Sequence, residues 1–274
     1  MSVDVVDSIA QLPQRLAGSA SVGLVPTMGA LHEGHLRLIR QARAENGTVV
    51  VSIFVNPIQF NQPEDFEKYP RTMATDTAIC AEAGVDLIFA PTAQEMYPAP
   101  LASFVEVPSV AEHLCGRIRP GHFRGVATVV MKLFQIVQPH RAYFGEKDAQ
   151  QLAVIRRMVR DLNVPVTVVP VPTVREPDGL ALSSRNRRLT PEDRRVAPLL
   201  NRALQTAAQE IRAGAPAIAD ARALLAAEPR IRLEYFEAVD PDEMQHVSDL
   251  KAPVLLAIAA WLGDVRLIDN LLVA

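Results

Sequence analysis

Two histidines three residues apart carry the first chemical signal in the chain. In "PTMGALHEGH" (26–35), His32 and His35 follow the apolar run "SVGLV" and stand beside Gly29 and Gly34. If a strand hands over to a helix here, His35 lies in the first helical turn, where free backbone N–H groups and the helix dipole attract anions. An imidazole can also donate to a phosphate oxygen. Three interpretations stay open: a phosphate site, a metal site that needs at least a third ligand, or surface histidines without function.

Three further segments place polar groups at predicted strand ends or in loops. In "FGEKDAQQL" (144–152), Lys147 and Asp148 follow a short apolar strand, at the strand end where α/β sheets bind ligands. "LSSRN" (182–186) offers two hydroxyls and a guanidinium that suit a polyphosphate. In "VNPIQF" (55–60), Gln59 is an uncharged group that could hold a hydroxy acid. Each has a simpler alternative, namely a helix cap, a solvated charge, a polar linker or a solvent-facing amide. Taken together, they predict one crevice.

Several classes of protein find little support in the sequence. The chain has neither a GxxxxGK[ST] phosphate loop nor a GxGxxG after a strand. Its two cysteines, Cys80 and Cys115, form no CxxC, which argues against a disulfide scaffold or a thiolate zinc site. Both are predicted to be small buried or half-buried side chains. A net charge of -3 gives no overall electrostatic case for nucleic acid or an anionic membrane.

The two ends of the chain bear on its location. The segment "MSVDVVDSIAQLPQRL" carries acids early and has no basic region before an apolar stretch, so we expect no signal peptide. The most apolar segment (252–274) is too short and too charged to span a bilayer. We therefore expect a cytoplasmic protein that acts on small molecules, without nucleic-acid or membrane partners.

The first two-thirds of the chain alternates apolar, β-rich runs with helix-patterned segments. The near-continuous Val/Ile/Phe run in "GTVVVSIFVNP" (47–57) is typical of a strand covered on both faces, as in a parallel sheet. This order of elements predicts a doubly wound α/β domain.

The pattern changes near residue 174. The segment 190–214 is predicted to be one helix, capped by Thr190, with Pro191 at its first position and Asp193 at capping-box spacing. Two apolar segments after it (230–240 and 253–273) are predicted strands of a small α+β unit. The predicted domains are 1–174 and 175–274. "LSSRN" then lies at their junction, a favoured place for a ligand site.

Several motifs, in this order, resemble the pantothenate synthetase (pantoate–β-alanine ligase) family. They are "PTMGALHEGH", "SIFVNPIQF", "YPRT", "RPGHFRGV", "FGEKDAQQL", "DGLALSSRN" and "AAWLGDVRLIDN", and they cover almost the whole chain. Residues 32–35 form the HxGH signature of the wider nucleotidyltransferase superfamily. The resemblance implies a Rossmann-like doubly wound parallel sheet in 1–174 that binds nucleotide and pantoate. It also implies a smaller α+β lid domain in 175–274, a homodimer, and the use of ATP with Mg²⁺.

The reaction implied by the resemblance has two steps. Pantoate's carboxylate attacks the α-phosphorus of ATP, giving a pantoyl adenylate and pyrophosphate, and the amine of β-alanine then displaces AMP to give pantothenate. His35 matches the position assigned as proton donor, and His32 is its partner on the triphosphate. Lys147, Ser183 and Arg185 are expected to stabilise the developing charge.

The binding residues implied by the resemblance fall into two groups. Gln59 and Gln151 would hold pantoate, with Gln59 also near β-alanine. The ATP site would comprise Met28, Gly29, Ala30, Leu31, His32, Glu33, Gly34, His35, Gly145, Glu146, Lys147, Asp148, Val174, Leu182, Ser183, Ser184 and Arg185. The ligands of Mg²⁺ and the roles of Arg119, His122 and Arg124 are left unassigned.

Three alternatives stay open. The first keeps the fold but makes the protein a cytidylyl- or adenylyltransferase that releases a nucleotide-linked product. The second is a nucleotide-binding regulatory module without catalysis, which would not need His35 and Lys147 together. The third, a zinc hydrolase, lacks the HExxH spacing.

Overall fold

The computed structural model describes residues 3–61, 63–214, 218–250 and 253–274. Its strands are β1 (Asp4–Val6), β2 (Val22–Thr27), β3 (Thr48–Ile53), β4 (Leu87–Phe89), β5 (Arg141–Gly145), β6 (Thr167–Val171), β7 (Ile231–Val239), β8 (Val254–Leu262) and β9 (Val265–Val273). Its α-helices are α1 (Leu12–Leu16), α2 (Glu33–Glu45), α3 (Pro63–Glu67), α4 (Met73–Glu82), α5 (Ala93–Met96), α6 (Pro108–Ala111), α7 (Leu114–Ile118), α8 (His122–Val137), α9 (Ala149–Asp161), α10 (Pro191–Val196), α11 (Leu199–Arg212) and α12 (Ala219–Ala226). Short 3₁₀ turns cover Ile9–Gln11, Pro57–Gln59, Glu146–Asp148 and Ser184–Arg188.

Six parallel strands form the larger sheet in the order β1-β4-β3-β2-β5-β6. From β2 the chain moves one way to β3 and β4, and β5 and β6 are added on the other side. The strand order therefore reverses between β2 and β5. At such a switch point the loops after the two strands diverge and leave a crevice at their carboxyl ends. The predicted Rossmann-like, doubly wound fold is confirmed.

Apolar side chains of β3 serve two separate cores, one on each face of the sheet. Val50 packs in the cluster that contains Leu133 of α8, whereas Val49 and Val51 pack in the cluster that contains Ile39 of α2. All three valines are fully buried. This arrangement explains the continuous apolar run in the sequence, because alternate residues of a strand point to opposite faces and here both faces are covered.

The second sheet is antiparallel, in the order β7-β8-β9. On one face of β8, Leu256 and Ile258 pack in a cluster with Leu204 of α11. On the other face, Leu255 and Ala257 join the core of the larger sheet. The second sheet is thus packed between α11 and the first domain, which confirms the smaller α+β unit.

The predicted helix over 190–214 is in fact two helices. Thr190 caps α10 as predicted, because its Oγ1 accepts the Asp193 N–H at 3.1 Å. The prediction of a single helix was wrong at Pro198, which is the N-cap of α11. Proline has no backbone N–H and clashes with the preceding turn, so the helix breaks and restarts there.

Cys80 and Cys115 are free and buried, as expected. Within the described residues, every helix is too short or too polar to cross a membrane. The boundary near residue 174 falls between β6 and β7 and stays a prediction.

Candidate active site

A cavity of about 490 Å³ lies at the carboxyl ends of β2 and β5, where the strand order reverses. Loops after both strands line it, and side chains of the second sheet such as Trp261 and Arg266 complete its wall. The predicted site residues that line it are Met28, His32, Gly34, His35, Gln59, Gly145, Lys147, Asp148, Gln151, Val174, Leu182, Ser183, Ser184 and Arg185. Segments far apart in sequence are therefore brought to one place.

Five residues of the predicted ATP set are not among the residues that line the cavity. Gly29, Ala30 and Leu31 form a buried turn between β2 and α2. Glu33 is exposed and paired with Arg40, and Glu146 is exposed. Direct contact of these five with ATP stays a prediction.

The turn before His32 is held by a carboxylate that the sequence analysis did not single out. Asp76 of α4, only 1% exposed, accepts the N–H groups of Ala30 at 3.0 Å and Leu31 at 2.8 Å. Gly29 and Ala30 both have positive φ, +81° and +52°. Left-handed backbone is unfavourable for alanine and persists only where surrounding contacts enforce it. The Asp76 carboxylate supplies such contacts and so fixes the start of α2.

Both histidines have their Nδ1 atoms occupied by backbone donors. The Gly34 N–H donates to His32 Nδ1 at 3.1 Å, and the His32 N–H donates to His35 Nδ1 at 3.2 Å. His32 is the N-cap of α2, and the two rings lie 4.2 Å apart. A Cβ on Gly34 would lie 2.8 Å from the His32 ring, so this close arrangement requires glycine. A neutral imidazole that accepts at Nδ1 carries its proton at Nε2.

The charge state of the pair follows from burial. Burial lowers the pKa of His35 to about 3, and the neighbouring His32 lowers it further. Burial is also the main cause of the lowered pKa of His32, and the charges of the nearby Lys147 and Arg187 lower this pKa further. Both rings are therefore neutral near pH 7 in the unliganded protein. They offer Nε2–H donors at the positive end of a 13-residue helix, a setting that favours phosphate oxygens.

Lys147 stands on a 3₁₀ turn that the second sheet holds in place. The Asn270 side chain of β9 donates to the carbonyl oxygens of Glu146 at 2.8 Å and Lys147 at 2.9 Å. Next to Asn270, the buried Asp269 carboxylate accepts hydrogen bonds from both terminal guanidinium nitrogens of Arg175, at 2.6 and 2.9 Å. The two sheets are thereby tied together beside the cavity, and the position of Lys147 depends on both.

The "LSSRN" segment (182–186) also lines the cavity. Ser183 caps the 3₁₀ turn by accepting the Arg185 N–H at 3.2 Å. The Asn186 side chain anchors the turn through Glu176 at 3.0 Å. Tyr69 lines the same cavity, and burial raises its pKa. The segment Ser184–Arg188 forms this 3₁₀ turn, and the exposed Arg185 lines the cavity.

Amide side chains line the part of the cavity around Gln59. Gln59 Oε1 accepts a hydrogen bond from Asn56 Nδ2 at 3.0 Å, and Gln59 Nε2 lies 3.0 Å from Met28 Sδ. The main-chain carbonyl oxygen of Gln59 accepts a hydrogen bond from His122 Nδ1 at 2.8 Å. The pKa of His122 is lowered to about 4, mainly by burial and in addition by the charge of Arg119. This ring too is therefore neutral at pH 7.

The three residues left unassigned now have positions. Arg119 and His122 line the cavity. Arg124 instead pairs with Glu106 at 3.4 Å and stacks over Phe104. Arg124 is therefore directed to a different surface.

The acidic side chains at the cavity differ in what holds them. Glu234 is bound by Arg266, and Asp269 by Arg175. Asp148 is 49% exposed, with only a loose 3.8 Å pair to Lys147. Across the described ranges, no group of three or more His, Cys, Asp or Glu side chains is placed to hold a metal ion. A zinc site on His32 and His35 is also disfavoured by their Nδ1 bonds, because the protonated Nε2 has no free lone pair.

The sequence gives only weak indications of the supporting residues Asp76 and Asp269, which the sequence predictions did not include. Asp76 stands four residues before the buried Cys80 on α4, so its carboxylate shares a buried helix face and needs partners. Asp269 occupies an inward position of β9 by strand alternation and has the same need. Neither pattern reveals which distant groups provide the partners.

Comparison with known proteins gives a consistent result. The family model for pantoate-beta-alanine ligase matches residues 3–272. The chain is 55% identical over 254 residues to pantothenate synthetase from Moorella thermoacetica, covering 91% of this chain and 90% of that protein. Its structure is similar to that of pantoate-beta-alanine ligase from Thermus thermophilus, with 51% identity, a TM-score of 0.94 and 99% of each chain covered. It is also similar to the Francisella tularensis ligase, solved with beta-gamma ATP and β-alanine, with 36% identity, a TM-score of 0.83, and 98% and 97% of the two chains covered.

Proposed function

This chain is an enzyme of the pantoate–β-alanine ligase family, and from that premise we propose that it joins pantoate to β-alanine through a pantoyl adenylate. In the first step a pantoate carboxylate oxygen bonds to the α-phosphorus of ATP, and the bond from that phosphorus to the β-phosphate bridge breaks. Pyrophosphate leaves with the bonding electrons. In the second step the β-alanine amine bonds to the acyl carbon, AMP leaves, and the amine loses a proton.

The first step needs help because two anions must approach each other. Neutral Nε2–H donors of His32 and His35 can bond phosphate oxygens without adding a charge that would pair with the carboxylate. The Lys147 ammonium and the Arg185 guanidinium supply positive charge for the phosphoryl group and the departing pyrophosphate. Donors held in place before reaction in a site shielded from water are the largest source of such catalysis.

Recognition of the acid is assigned to the amides of Gln59 and Gln151, which line the same cavity. A neutral amide can donate to a carboxylate without forming the salt bridge that would weaken it as a nucleophile. Gln59 is also proposed to contact β-alanine in the second step. The cavity walls from both sheets would keep water from the reactive anhydride.

Magnesium is proposed to enter with ATP, where it would neutralise part of the triphosphate charge. Mg²⁺ usually keeps several waters and binds through substrate phosphates and one or two carboxylates. The half-exposed Asp148, beside Lys147 at the cavity, fits such a role. Among the other acids that line the cavity, Glu234 and Asp269 are bound to arginines, and Asp264 lies in the exposed turn between β8 and β9.

The observation that supports this function most is that one cavity at the switch point is lined by potential phosphate donors and by an amide that could bind the acid. These residues are His32, His35, Lys147, Arg185 and Gln59. The experiment is incubation with MgATP, pantoate and β-alanine, with each omitted in turn. Sustained release of AMP should require both the acid and the amine. AMP release without either one would contradict the proposal.

The remaining alternative with the same fold is a nucleotidyltransferase. It would release pyrophosphate and a nucleotide-linked acid, with neither free AMP nor an amide product. The same incubations therefore separate the two functions. A non-catalytic nucleotide-binding module would release neither AMP nor pyrophosphate.

A further part of the proposal is that the enzyme works as a cytoplasmic homodimer. This assembly is implied by the family and adds nothing to the chemistry above. Light scattering at assay concentration should give about twice the 29.9 kDa chain mass, and a monomer mass would contradict it.

Replacing Gln59 with alanine should raise KM for pantoate by roughly 10-fold or more, because a hydrogen bond to a charged group is lost. KM for ATP should change far less, since the proposed contacts to the phosphate groups are made by other residues. The exposed Gln135 of α8 provides a matched control, and Gln135→Ala should leave both constants unchanged. Equal increases for pantoate and ATP in the Gln59 variant would count against the acid site.

A further inference from the structure

Three polar side chains form a line that ends at the cavity. The Tyr97 hydroxyl bonds to Asn56 Oδ1 at 2.8 Å, and Asn56 Nδ2 bonds to Gln59 Oε1 at 3.0 Å. We call Tyr97, Asn56 and Gln59 the amide relay. Gln59 lines the cavity, whereas Tyr97 lines a separate groove and packs its ring against Phe54 at 6.1 Å. The relay therefore connects a residue outside the cavity with one that faces it.

The direction of each bond in the relay is fixed by a backbone carbonyl. Asn56 Nδ2 lies 3.1 Å from the carbonyl oxygen of Gly125, which can only accept. This end of the Asn56 amide must therefore be the NH₂ group, and its Oδ1 faces Tyr97. It follows that the tyrosine hydroxyl donates.

The same argument sets the orientation of Gln59. Because Asn56 donates its second N–H to Gln59 Oε1, the Gln59 NH₂ group is turned away from Asn56. It lies 3.0 Å from Met28 Sδ, a weak acceptor on the cavity wall. An oxygen of a bound acid is a much stronger acceptor and can replace the sulfur.

Tight packing holds the side chains of the amide relay in place. A Cβ on Gly125 would lie 2.5 Å from the Ile58 carbonyl oxygen, so only glycine lets α8 approach the 57–59 turn this closely. Asn56 is 1% exposed, which leaves its Oδ1 no access to bulk water if Tyr97 is lost. A buried acceptor without a donor is unfavourable.

From these contacts we infer that Tyr97 is a positioning residue for acid recognition. Its hydroxyl fixes the Asn56 amide, and through it presents the Gln59 NH₂ group to a carboxylate or hydroxyl oxygen of the acid. The identity of that acid as pantoate rests on the proposed function. Without the hydroxyl, no donor among the described residues is hydrogen-bonded to Asn56 Oδ1 in its present orientation. In the flipped orientation it would face the Gly125 carbonyl oxygen, so neither state holds Gln59 well.

The test is a double-mutant cycle read by equilibrium binding. Pantoate is titrated calorimetrically into the wild type, Tyr97→Phe, Gln59→Ala and the double variant, and pantothenate formation is measured on the same proteins. Tyr97→Phe keeps the ring and should weaken pantoate binding by roughly 3- to 10-fold, the loss of one neutral hydrogen bond. In the Gln59→Ala background the same substitution should have no further effect, because the relay acts through Gln59.

A matched control removes a different buried hydroxyl. The buried Thr128 accepts the Val105 N–H at 3.0 Å through its hydroxyl and is not one of the residues that line the cavity, so Thr128→Val should leave pantoate affinity unchanged. An equal loss in both Gln59 backgrounds, or no loss in either, would overturn the relay. A wild type that binds no pantoate would overturn the acid site together with the relay. A wild type that binds pantoate but forms no pantothenate would overturn only the proposed function.

Discussion

Replacing His35 with alanine is expected to slow formation of the pantoyl adenylate by roughly 100-fold or more. This is the usual scale for loss of one donor that stabilises a transition state. His35 is suited to that role because its Nδ1 is taken by the His32 N–H and its pKa of about 3 keeps it neutral. Single-turnover measurement with MgATP and pantoate, before β-alanine is added, isolates this step.

Two further variants separate the role of His35 in chemistry from damage to the fold. His35→Gln keeps an N–H donor at a similar reach and should recover part of the lost rate. His246→Ala removes an exposed histidine and should leave the rate unchanged. Adenylate formation at a near wild-type rate in His35→Ala would refute the role.

Loss of the Lys147 charge should have an effect of similar or greater size. Lys147→Met keeps the aliphatic stem but removes the ammonium group, so stabilisation of the departing pyrophosphate is lost and adenylation should slow by about 100- to 1,000-fold. Lys147→Arg retains the charge and should retain more activity than Lys147→Met. Similar rates for both variants would contradict a role that depends on charge.

The Lys147 variant also has a readout that does not require turnover. Lys147 is one of the cations that lower the pKa of His32, so its removal should raise the His32 pKa toward the ordinary value of 6.5. NMR titration of the histidine rings in the free enzyme measures this shift. An unchanged His32 pKa would mean that the two side chains lie farther apart than the structure places them.

Much of the fold could be predicted because its signals are local. The uninterrupted apolar run of β3 implied cover on both faces, and Val49 and Val50 do pack in different cores. The Thr190 cap was likewise readable from three neighbouring residues. The break at Pro198 was missed because the apolar helical pattern continues across it.

The site was predictable only in part. Strand-end positions identified His32, Lys147 and Gln59, because the carboxyl ends of parallel strands meet at one edge of the sheet. Roles for these residues came from the family resemblance. The strand order that creates the switch point between β2 and β5 depends on pairing between segments more than 100 residues apart.

The residues that hold the site rigid could not be derived from sequence patterns. Asp76 bonds a turn 45 residues before it, and Asn270 bonds carbonyl oxygens 123 and 124 residues before it. Hydrogen bonds of this range depend on the final packing of α4 against α2 and of the second sheet against the first. A single sequence shows a buried carboxylate or amide, and the structure shows what it binds.

The most direct test of the central claim is to follow oxygen from pantoate labelled with ¹⁸O in its carboxylate. If the carboxylate attacks the α-phosphorus, one labelled oxygen bridges to that phosphorus and stays there when the amine displaces AMP. Mass spectrometry should then find AMP carrying one ¹⁸O, an amide carrying the other, and unlabelled pyrophosphate. Unlabelled AMP, or label in inorganic phosphate or pyrophosphate, would show that the donors around His35 and Lys147 serve a different reaction.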